Sequence, residues 1–467
     1  MSPASYRAAP PRVACSTLQV TPRGAKSGSP GSTSWHRPAA SGPPPLAWSH
    51  VSTPPLVTAA TIDEAAPRVA AVASRTPLEL NARLSAATGA QVWLKREDLQ
   101  PVRSYKIRGA YNLIVQLDDA ARARGVVCAS AGNHAQGVAL ACQRLGVTAR
   151  IFVPGTTPRQ KRERIVSLGG SGVEVIVTGN SYEDAFRAAQ QDAARSGAVL
   201  VPAFDDPRTI SGQGTVAPEI VEQLGAAPDL LVVPVGGGGL IAGIATWMSE
   251  RHPTTRVLGV EPTGAPSMSA ALSAGSPVSV APVDPFVDGA AVGIVGEHTF
   301  PLVRDAGAEV MTVDEGQACT EMLRLYQTDG IIAEPAGALA SAALDGLEIE
   351  PGSTVVCVVS GGNNDISRYG EVLERSLIHQ GLKHYFLVSF PQEPGALRRF
   401  LDEILGPDDD ITLFDYVKRN NRDTGPALIG VELARAGDFA GLLQRLAESP
   451  LGVEQVEPGS TLFHYLV

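Results

Sequence analysis

The sequence from Leu230 to Leu240 reads Leu-Leu-Val-Val-Pro-Val-Gly-Gly-Gly-Gly-Leu. A continuous apolar run such as residues 230–234 is typical of a parallel strand that is covered on both faces. The four glycines directly after it precede a helix that is predicted to begin near Leu240, and N–H groups that converge at a helix N-terminus favour a bound phosphate. The spacing fits neither a Walker A loop nor the Gly-x-Gly-x-x-Gly turn of dinucleotide folds, and a flexible connection is the alternative for this motif alone.

Strands and helices alternate on both sides of this stretch. Predicted strands cover residues 92–94, 125–129, 150–154, 173–177 and 354–359, and predicted helices cover residues 133–145, 158–168 and 182–195. Gly146 is expected to end the first of these helices, and Ser181 with Asp184 predicts a capping box at the start of the last. This alternation predicts an α/β architecture in which ligands bind at the carboxyl ends of the strands.

The C-terminal residues 383–467 have a different order of elements. Predicted strands cover residues 384–390, 411–418, 427–433 and 453–456, and predicted helices cover residues 396–405 and 439–446. The order β-α-β-β-α-β predicts a separate α+β domain of the ferredoxin-like type. The sequence therefore predicts a larger domain at 61–380, with a smaller subdomain at roughly 101–200, followed by this second domain.

Composition limits the class of protein. The chain of 467 residues is 44% hydrophobic and 18% charged, as expected for a soluble globular protein. A formal net charge of -10 argues against a nucleic-acid partner. No apolar run approaches the ~20 residues of a membrane helix, so no membrane partner is expected. None of the five cysteines forms a Cys-x-x-Cys pair, and we predict neither a disulfide framework nor a metal site.

Residues 1–60 differ from the rest of the chain. They are rich in Pro, Ser, Gly and Ala, and the first acidic residue is Asp63. This composition predicts a disordered extension. It also fits an organellar transit peptide. We favour a plain tail or an upstream start site, because no amphipathic helix stands out.

Two further turns carry polar side chains beside predicted strands. Lys106 lies before a predicted helix, and a lysine can form a Schiff base with a carbonyl cofactor, although a single lysine is more often a solvated surface charge. The segment 129–134 reads Ala-Ser-Ala-Gly-Asn-His and leaves N–H groups free at a helix start. Asn133 can hydrogen-bond a ring substituent there. His134 equally fits a role in capping or packing.

The Lys106 segment, the Asn133 turn, the four glycines at 236–239 and the segment 360–363 (Ser-Gly-Gly-Asn) occur in this order along the chain. This set of four motifs resembles that of the fold-type II pyridoxal-phosphate (PLP) enzymes, the tryptophan synthase β-like family. Four segments are similar in sequence to the biosynthetic threonine dehydratases: 95–101 (KREDLQP), 104–110 (SYKIRGA), 130–139 (SAGNHAQGVA) and 333–338 (AEPAGA). The resemblance covers about residues 60–467. It implies a PLP-dependent catalytic domain with two open parallel-sheet subdomains and one C-terminal ACT-like regulatory domain.

The resemblance also implies a role for individual residues. Lys106 would form the Schiff base and act as the catalytic base, and Asn133 would hydrogen-bond the 3'-oxygen of the cofactor. Ser360 would hydrogen-bond its pyridine nitrogen. The cofactor phosphate would be bound by Gly236, Gly237, Gly238, Gly239 and Leu240, and the substrate carboxylate by Ser130, Ala131, Gly132, Asn133 and His134. Tyr105 stands where many relatives have Phe, which keeps the aromatic ring.

The implied reaction is β-elimination of L-threonine, possible also for L-serine, to a 2-oxoacid and ammonia. This would be the first committed step of isoleucine biosynthesis, inhibited by isoleucine, and valine would oppose that inhibition. The resemblance further implies a homotetramer that is located in the cytoplasm. A degradative serine/threonine dehydratase is the nearest alternative. Serine racemase, threonine synthase and a non-catalytic amino-acid sensor are further alternatives, and the presence of Lys106, Asn133 and Ser360 argues against the sensor.

Overall fold

The computed structural model describes residues 56–418, 420–457 and 460–466, so the predictions for residues 1–55 lie outside the described residues. The strands are β1 Leu78–Leu80, β2 Gln91–Arg96, β3 Val126–Ala129, β4 Ala149–Val153, β5 Val173–Val177, β6 Val199–Leu200, β7 Leu230–Pro234, β8 Arg256–Pro262, β9 Glu309–Val313, β10 Thr354–Val359, β11 Lys383–Pro391, β12 Asp410–Tyr416, β13 Thr424–Glu432 and β14 Gly452–Gln455. The helices are α1 Ala59–Val69, α2 Ala82–Thr88, α3 Lys106–Ile114, α4 Asp119–Arg124, α5 Asn133–Leu145, α6 Arg159–Gly169, α7 Tyr182–Ser196, α8 Pro207–Gly214, α9 Val216–Leu224, α10 Gly239–Arg251, α11 Ser267–Ala274, α12 Thr299–Asp305, α13 Glu315–Gln327, α14 Pro335–Ala342, α15 Tyr369–His379, α16 Ala396–Glu403, α17 Phe439–Glu448 and α18 Thr461–Leu466.

The largest sheet has six strands in the order β1-β2-β10-β7-β8-β9. All of its neighbouring pairs are parallel except β1 with β2. Successive side chains of β7 enter cores on opposite faces, since Val232 packs in one hydrophobic cluster and Val233 in the other. Burial on both faces explains why this strand reads as an unbroken apolar run, and its predicted bounds are confirmed.

A second, fully parallel sheet has the order β5-β4-β3-β6. Helix α5 follows β3 and ends as predicted, because Gly146 adopts the left-handed conformation at φ +66°. The predicted capping box of α7 is present, with reciprocal hydrogen bonds between Ser181 and Asp184. Cys128 on β3 and Cys142 on α5 are buried in this core.

The C-terminal sheet has the antiparallel order β12-β13-β11-β14, which is the ferredoxin-like arrangement predicted. Its buried face packs Phe386 and Phe390 of β11 against Phe400 of α16 and Leu442 of α17. Strand β13 begins at Thr424, before the predicted start at residue 427. The prediction missed this part of the strand because Gly425 and Pro426 are residue types usually depleted from strands. The last helix, α18, was not predicted.

Helix α15 connects the largest sheet to the C-terminal sheet. Glu374 on this helix accepts a hydrogen bond from Lys383 Nζ at 2.5 Å and another from the Tyr385 hydroxyl. Both donors lie on β11, so the chain enters the C-terminal domain through a strand that is tied to the preceding helix. Within the part of the chain that the structure describes, no helix has the length and apolar character needed to cross a membrane.

Candidate active site

Lys106 is the first residue of α3, and the segment before it is joined to the end of β10. The main-chain N–H of Tyr105 donates to the carbonyl of Ser360 at 3.1 Å, and Ser104 forms an isolated bridge with Gly361. The Lys106 amine donates to the carbonyl of Ala203 at 3.0 Å. The amine of Lys106 and the hydroxyl of Ser360 are thus held at the same edge of the largest sheet.

The glycine stretch lies at this edge because β7 pairs directly with β10. It packs so closely that side chains do not fit: a Cβ on Gly237 would lie 2.3 Å from the ring of Phe204, and one on Gly239 would lie 3.0 Å from Phe204 Cβ. Gly238 has φ +93°, in the left-handed region that favours glycine. Phe204 directly follows Ala203, so one short segment contacts both the glycine stretch and Lys106.

The first turn of α10 starts at Gly239 and leaves N–H groups without partners inside the helix. Thr299 braces the turn, because its hydroxyl donates to the carbonyl of Gly237 at 2.7 Å. The side chain of Leu240 is buried in the core, so only its main-chain N–H is available to a ligand. A helix start of this kind suits a phosphate group.

Asn133 begins α5 and links the smaller sheet to the largest one. Its Nδ2 donates to Glu334 at 2.6 Å, and its Oδ1 accepts from Asn363 at 2.7 Å. The preceding turn opens to free space, since a Cβ on Gly132 would meet nothing within 4 Å. The hydroxyl of Ser130 accepts from the N–H of Gly132 at 3.2 Å and fixes the turn. Small side chains here, including Ala131, leave room for a ligand next to the main chain.

His134 has its ring in the interior rather than in the open turn. Its Nε2 lies 2.8 Å from the carbonyl of Val201, which requires a proton on Nε2. Burial, with a smaller effect from the nearby charge of Lys106, lowers the pKa of His134 to about 4, so the ring is neutral at physiological pH. Any contact of His134 with a ligand in the turn therefore falls to its main-chain N–H.

Glu334 is a residue of this site that the sequence reasoning left without a role. It precedes α14 and is only 4% exposed. Burial raises the pKa of its carboxyl to about 7, and Asp288 acts in the same direction, while the hydrogen bond from Asn133 and the charge of Lys161 oppose them. The available signal was an acidic residue inside the otherwise apolar motif 333–338.

These residues fit a PLP cofactor by the chemistry of the donor set. Lys106 offers a primary amine, Asn133 an amide, and Ser360 a neutral hydroxyl that donates to the carbonyl of Ala336 at 3.3 Å. The glycine stretch at the start of α10 offers N–H groups to a phosphate. The contacts through Tyr105, Phe204 and Glu334 bring these four features together.

Comparison with known proteins agrees with this geometry. Residues 69–361 match the family model described as "Pyridoxal-phosphate dependent enzyme". Residues 374–466 match the model described as "C-terminal regulatory domain of Threonine dehydratase". The two models together cover the six-stranded sheet, the parallel four-stranded sheet and the C-terminal sheet.

Individual relatives point to the same family. The L-threonine dehydratase biosynthetic IlvA of Mycobacterium tuberculosis is 63% identical over 410 residues, which are 87% of this chain and 96% of that protein. The protein of that name from Corynebacterium glutamicum is 55% identical over 88% of this chain and 95% of its own length. The solved structure of the processed threonine deaminase isoform 2 from Solanum lycopersicum covers 70% of this chain and 91% of its own, with TM-score 0.64 and 38% identity. Maize serine racemase covers 70% of this chain and 99% of its own, with TM-score 0.64 and 33% identity.

The matched segments contain every element that positions Lys106, Asn133, the glycine stretch and Ser360. The alignment to the Mycobacterium tuberculosis protein spans 410 residues, more than the larger domain contains, so it includes the C-terminal domain. The match to serine racemase is shorter, at 70% of this chain, and can be made without that domain. The chain therefore belongs to the biosynthetic L-threonine dehydratases, a family of pyridoxal-phosphate-dependent ammonia-lyases.

Proposed function

We propose that this protein converts L-threonine to 2-oxobutanoate and ammonia as the first committed step of isoleucine biosynthesis. The observation that carries the proposal is the junction of Lys106 with Ser360 through the hydrogen bond from Tyr105, directly beside the glycine stretch. An amine, a neutral hydroxyl and a helix start with free N–H groups therefore lie at one sheet edge, which supports the proposal. L-Serine, which lacks one methyl group, is a second substrate compatible with the same chemistry.

When bound, PLP supplies an electron sink for the α-carbon of the substrate. The turn Ser130–His134 binds the substrate carboxylate through main-chain N–H groups, and Gly132 leaves the space for it. Lys106 Nζ would remove the α-proton of the substrate as general base. The Ser360 hydroxyl carries no charge, so it would not hold a proton on the ring nitrogen of PLP as a carboxylate would. This would favour departure of the β-hydroxyl over return of a proton to the α-carbon, and the α-proton and the hydroxyl together account for the water that is lost.

The test is formation of 2-oxoacid by the full chain with L-threonine or L-serine, each with and without isoleucine. Turnover of threonine that isoleucine suppresses is the expected result. Turnover that ignores isoleucine, or that prefers serine, would favour a degradative serine/threonine dehydratase instead. The match of residues 374–466 to a regulatory domain favours the biosynthetic enzyme over that alternative.

We place the isoleucine site in an apolar groove of the C-terminal domain. The groove has a volume of about 430 Å³ and lies between the end of β11, helix α16 and strand β12. Its lining includes Phe390, Leu397, Leu401, Phe414 and Tyr416. Leu397 and Leu401 are 41% and 44% exposed, an unusual exposure for leucines on the same helix face. A branched aliphatic side chain fits these surroundings, and valine would compete for them.

Leu397→Asp is expected to weaken inhibition by isoleucine strongly and to leave basal turnover unchanged. A carboxylate in the groove has to be desolvated when an aliphatic ligand binds, which weakens binding by a factor on the order of 10². The measurement is the isoleucine concentration for half inhibition. Val417→Asp is the matched control, because Val417 is also 44% exposed in this domain but does not line the groove. Equal inhibition of the two variants would place the effector elsewhere.

Gly237→Ala is expected to weaken cofactor binding about tenfold or more. The added Cβ would lie 2.3 Å from the ring of Phe204, so either the ring or the turn has to shift, at a cost of roughly 1–3 kcal/mol. Titration of the apo-protein with PLP measures the effect. Gly370→Ala is the control, because a Cβ there meets nothing within 4 Å. Wild-type affinity in Gly237→Ala would contradict the proposed phosphate site.

We further propose the domain boundaries 61–380 and 383–467, a homotetramer, and a location in the cytoplasm. The boundaries are supported by the start of β11 at Lys383, which follows α15 after a short turn. The tetramer is supported by the regulatory domain, because effector coupling commonly runs through subunit interfaces. Sedimentation of the full chain with and without isoleucine tests the assembly, and a monomer at working concentration would exclude it.

A further inference from the structure

Glu334 is a buried acid that none of the proposed roles uses. Its position before α14 would allow it to cap the helix, yet its side chain makes no capping hydrogen bond. The carboxyl is instead directed at the end of β10, where a Cβ on Gly361 would lie 2.3 Å from Glu334 Oε1. The main-chain N–H of Glu334 also donates to the carbonyl of Gly361 at 3.1 Å. Glu334 is thus fixed beside Ser360 by main chain and side chain together.

The hydrogen bonds around Asn133 have only one consistent direction. Asn363 Nδ2 lies 2.8 Å from the carbonyl of Val102, which can only accept, so this atom is the amide nitrogen. The same nitrogen lies 2.7 Å from the Asn133 side chain, which therefore presents its oxygen to Asn363. The nitrogen of Asn133 consequently faces Glu334, whose oxygen accepts from it at 2.6 Å.

This network uses one of the two protons on Asn133 Nδ2, in the hydrogen bond to Glu334, and leaves the other for a ligand. An amide free to rotate could present either its oxygen or its nitrogen to a ring substituent, and only the nitrogen donates. Glu334 can accept from Asn133 through an oxygen whether its carboxyl is ionised or neutral. The orientation of the amide is therefore maintained on both sides of the carboxyl's titration.

We propose that Glu334 is a positioning residue which, together with Asn363, fixes the Asn133 amide as a hydrogen-bond donor toward the cofactor ring. The inference rests on the proposed contact of Asn133 with the 3'-oxygen of PLP. Stability does not account for this acid, because burying a carboxyl without a cationic partner costs free energy. Glu321, a second buried glutamate of the same domain, is by contrast paired with Arg83 at 2.7 Å.

The test compares two replacements of similar size in the full-length holoenzyme. Glu334→Gln keeps an oxygen that can accept from Asn133, whereas Glu334→Leu has none. We expect Glu334→Gln to bind PLP within about threefold of wild type, and Glu334→Leu to bind it about tenfold or more weakly, the usual effect of one lost hydrogen bond. At saturating PLP, the absorbance maximum of the bound cofactor should shift in Glu334→Leu only.

Glu321→Leu is the matched control, because it removes a buried glutamate of this domain and is expected to lower the melting temperature without shifting the absorbance. Wild-type affinity and absorbance in Glu334→Leu would overturn the inference, as would equal impairment of Glu334→Gln and Glu334→Leu. Asn363→Asp tests the same network if Glu334→Leu does not fold, because a carboxylate cannot donate to Asn133 Oδ1. An unchanged cofactor in Asn363→Asp would also overturn it.

Asn133→Ala separates the inference from the proposed function. If Asn133→Ala binds PLP like wild type, the proposed contact between Asn133 and the cofactor fails, and the role of Glu334 fails with it. If Asn133→Ala is impaired and Glu334→Leu is not, the contact holds and only the positioning role of Glu334 is rejected.

Discussion

Lys106→Ala is expected to reduce turnover of L-threonine by about 10³-fold or more, because it removes the proposed general base. The fold should persist. The only hydrogen bond of the Lys106 amine that the structure shows is the one to the carbonyl of Ala203, and the side chain is only partly buried. Replacing it leaves no unpaired buried charge. The measurements are the rate of 2-oxobutanoate formation and the melting temperature of the same preparation.

Lys418→Ala is the control for the loss of one lysine, because Lys418 is an exposed residue of the C-terminal domain. It should retain wild-type turnover. The absorbance of bound PLP gives an independent readout, since Lys106→Ala should lose the spectrum that depends on the covalent bond while still retaining some cofactor through the glycine stretch. Activity of Lys106→Ala within tenfold of wild type would reject Lys106 as the base and move attention to another amine.

The sequence predicted the fold wherever one structural preference acted alone. The unbroken apolar runs at 230–234 and 354–359 predicted the bounds of β7 and β10, because both faces of these strands are buried. Glycine at 146 and the pair Ser181 and Asp184 marked helix ends through local backbone chemistry. Elements whose stability depends on distant contacts were harder to recognise: the start of β13 contains a proline and is held as a strand by its pairing with the end of β11.

The candidate site was predicted residue by residue from motifs, but its supporting contacts were not. Phe204 lies about 30 residues before the glycine stretch that it covers, and no local pattern links them. Glu334 and Asn133 are 201 residues apart in sequence and meet only because the ends of β3 and β10 face each other in the folded chain. Contacts of this kind arise from topology, which periodicity and spacing do not report.

A buried ionic network anchors the helix that carries Lys106. Arg108, two residues further on α3, is fully buried and makes paired hydrogen bonds to Glu97 and to Glu219 of α9. Lys95 Nζ also donates to Glu219, at 2.9 Å, and to the carbonyl of Thr76 at 2.8 Å. Burial alone would raise the pKa of the Glu97 carboxyl, but Arg108 and Lys95 beside it hold this pKa below its usual value.

Arg108→Met is expected to lower the free energy of unfolding by about 3–5 kcal/mol, because it leaves the fully buried Glu97 without the cation that hydrogen-bonds to it. Chemical denaturation measures the change. Arg256→Met is the matched control: Arg256 makes the same paired contact with Glu309, but both side chains are about half exposed, so the loss should stay below about 1 kcal/mol. Equal losses in the two variants would show that burial of the Arg108 pair does not decide its contribution.

The stability deficit of Arg108→Met should also depend on pH, in a direction that the pKa of Glu97 decides. The pKa of Glu97 is depressed in the folded protein, so the stabilisation from its ionised form is present above the unfolded value of 4.5 and is lost as the pH falls through the folded pKa. Without Arg108, burial opposes the ionised form of Glu97 with only Lys95 left to favour it, so uptake of a proton by Glu97 at lower pH relieves part of the loss. The deficit of Arg108→Met relative to wild type should therefore shrink as the pH is lowered from 7 to 5. Adding Glu97→Gln to Arg108→Met should remove that pH dependence, because the double variant no longer buries an ionisable acid; a deficit that stays constant with pH would instead assign the loss to packing around the missing guanidinium.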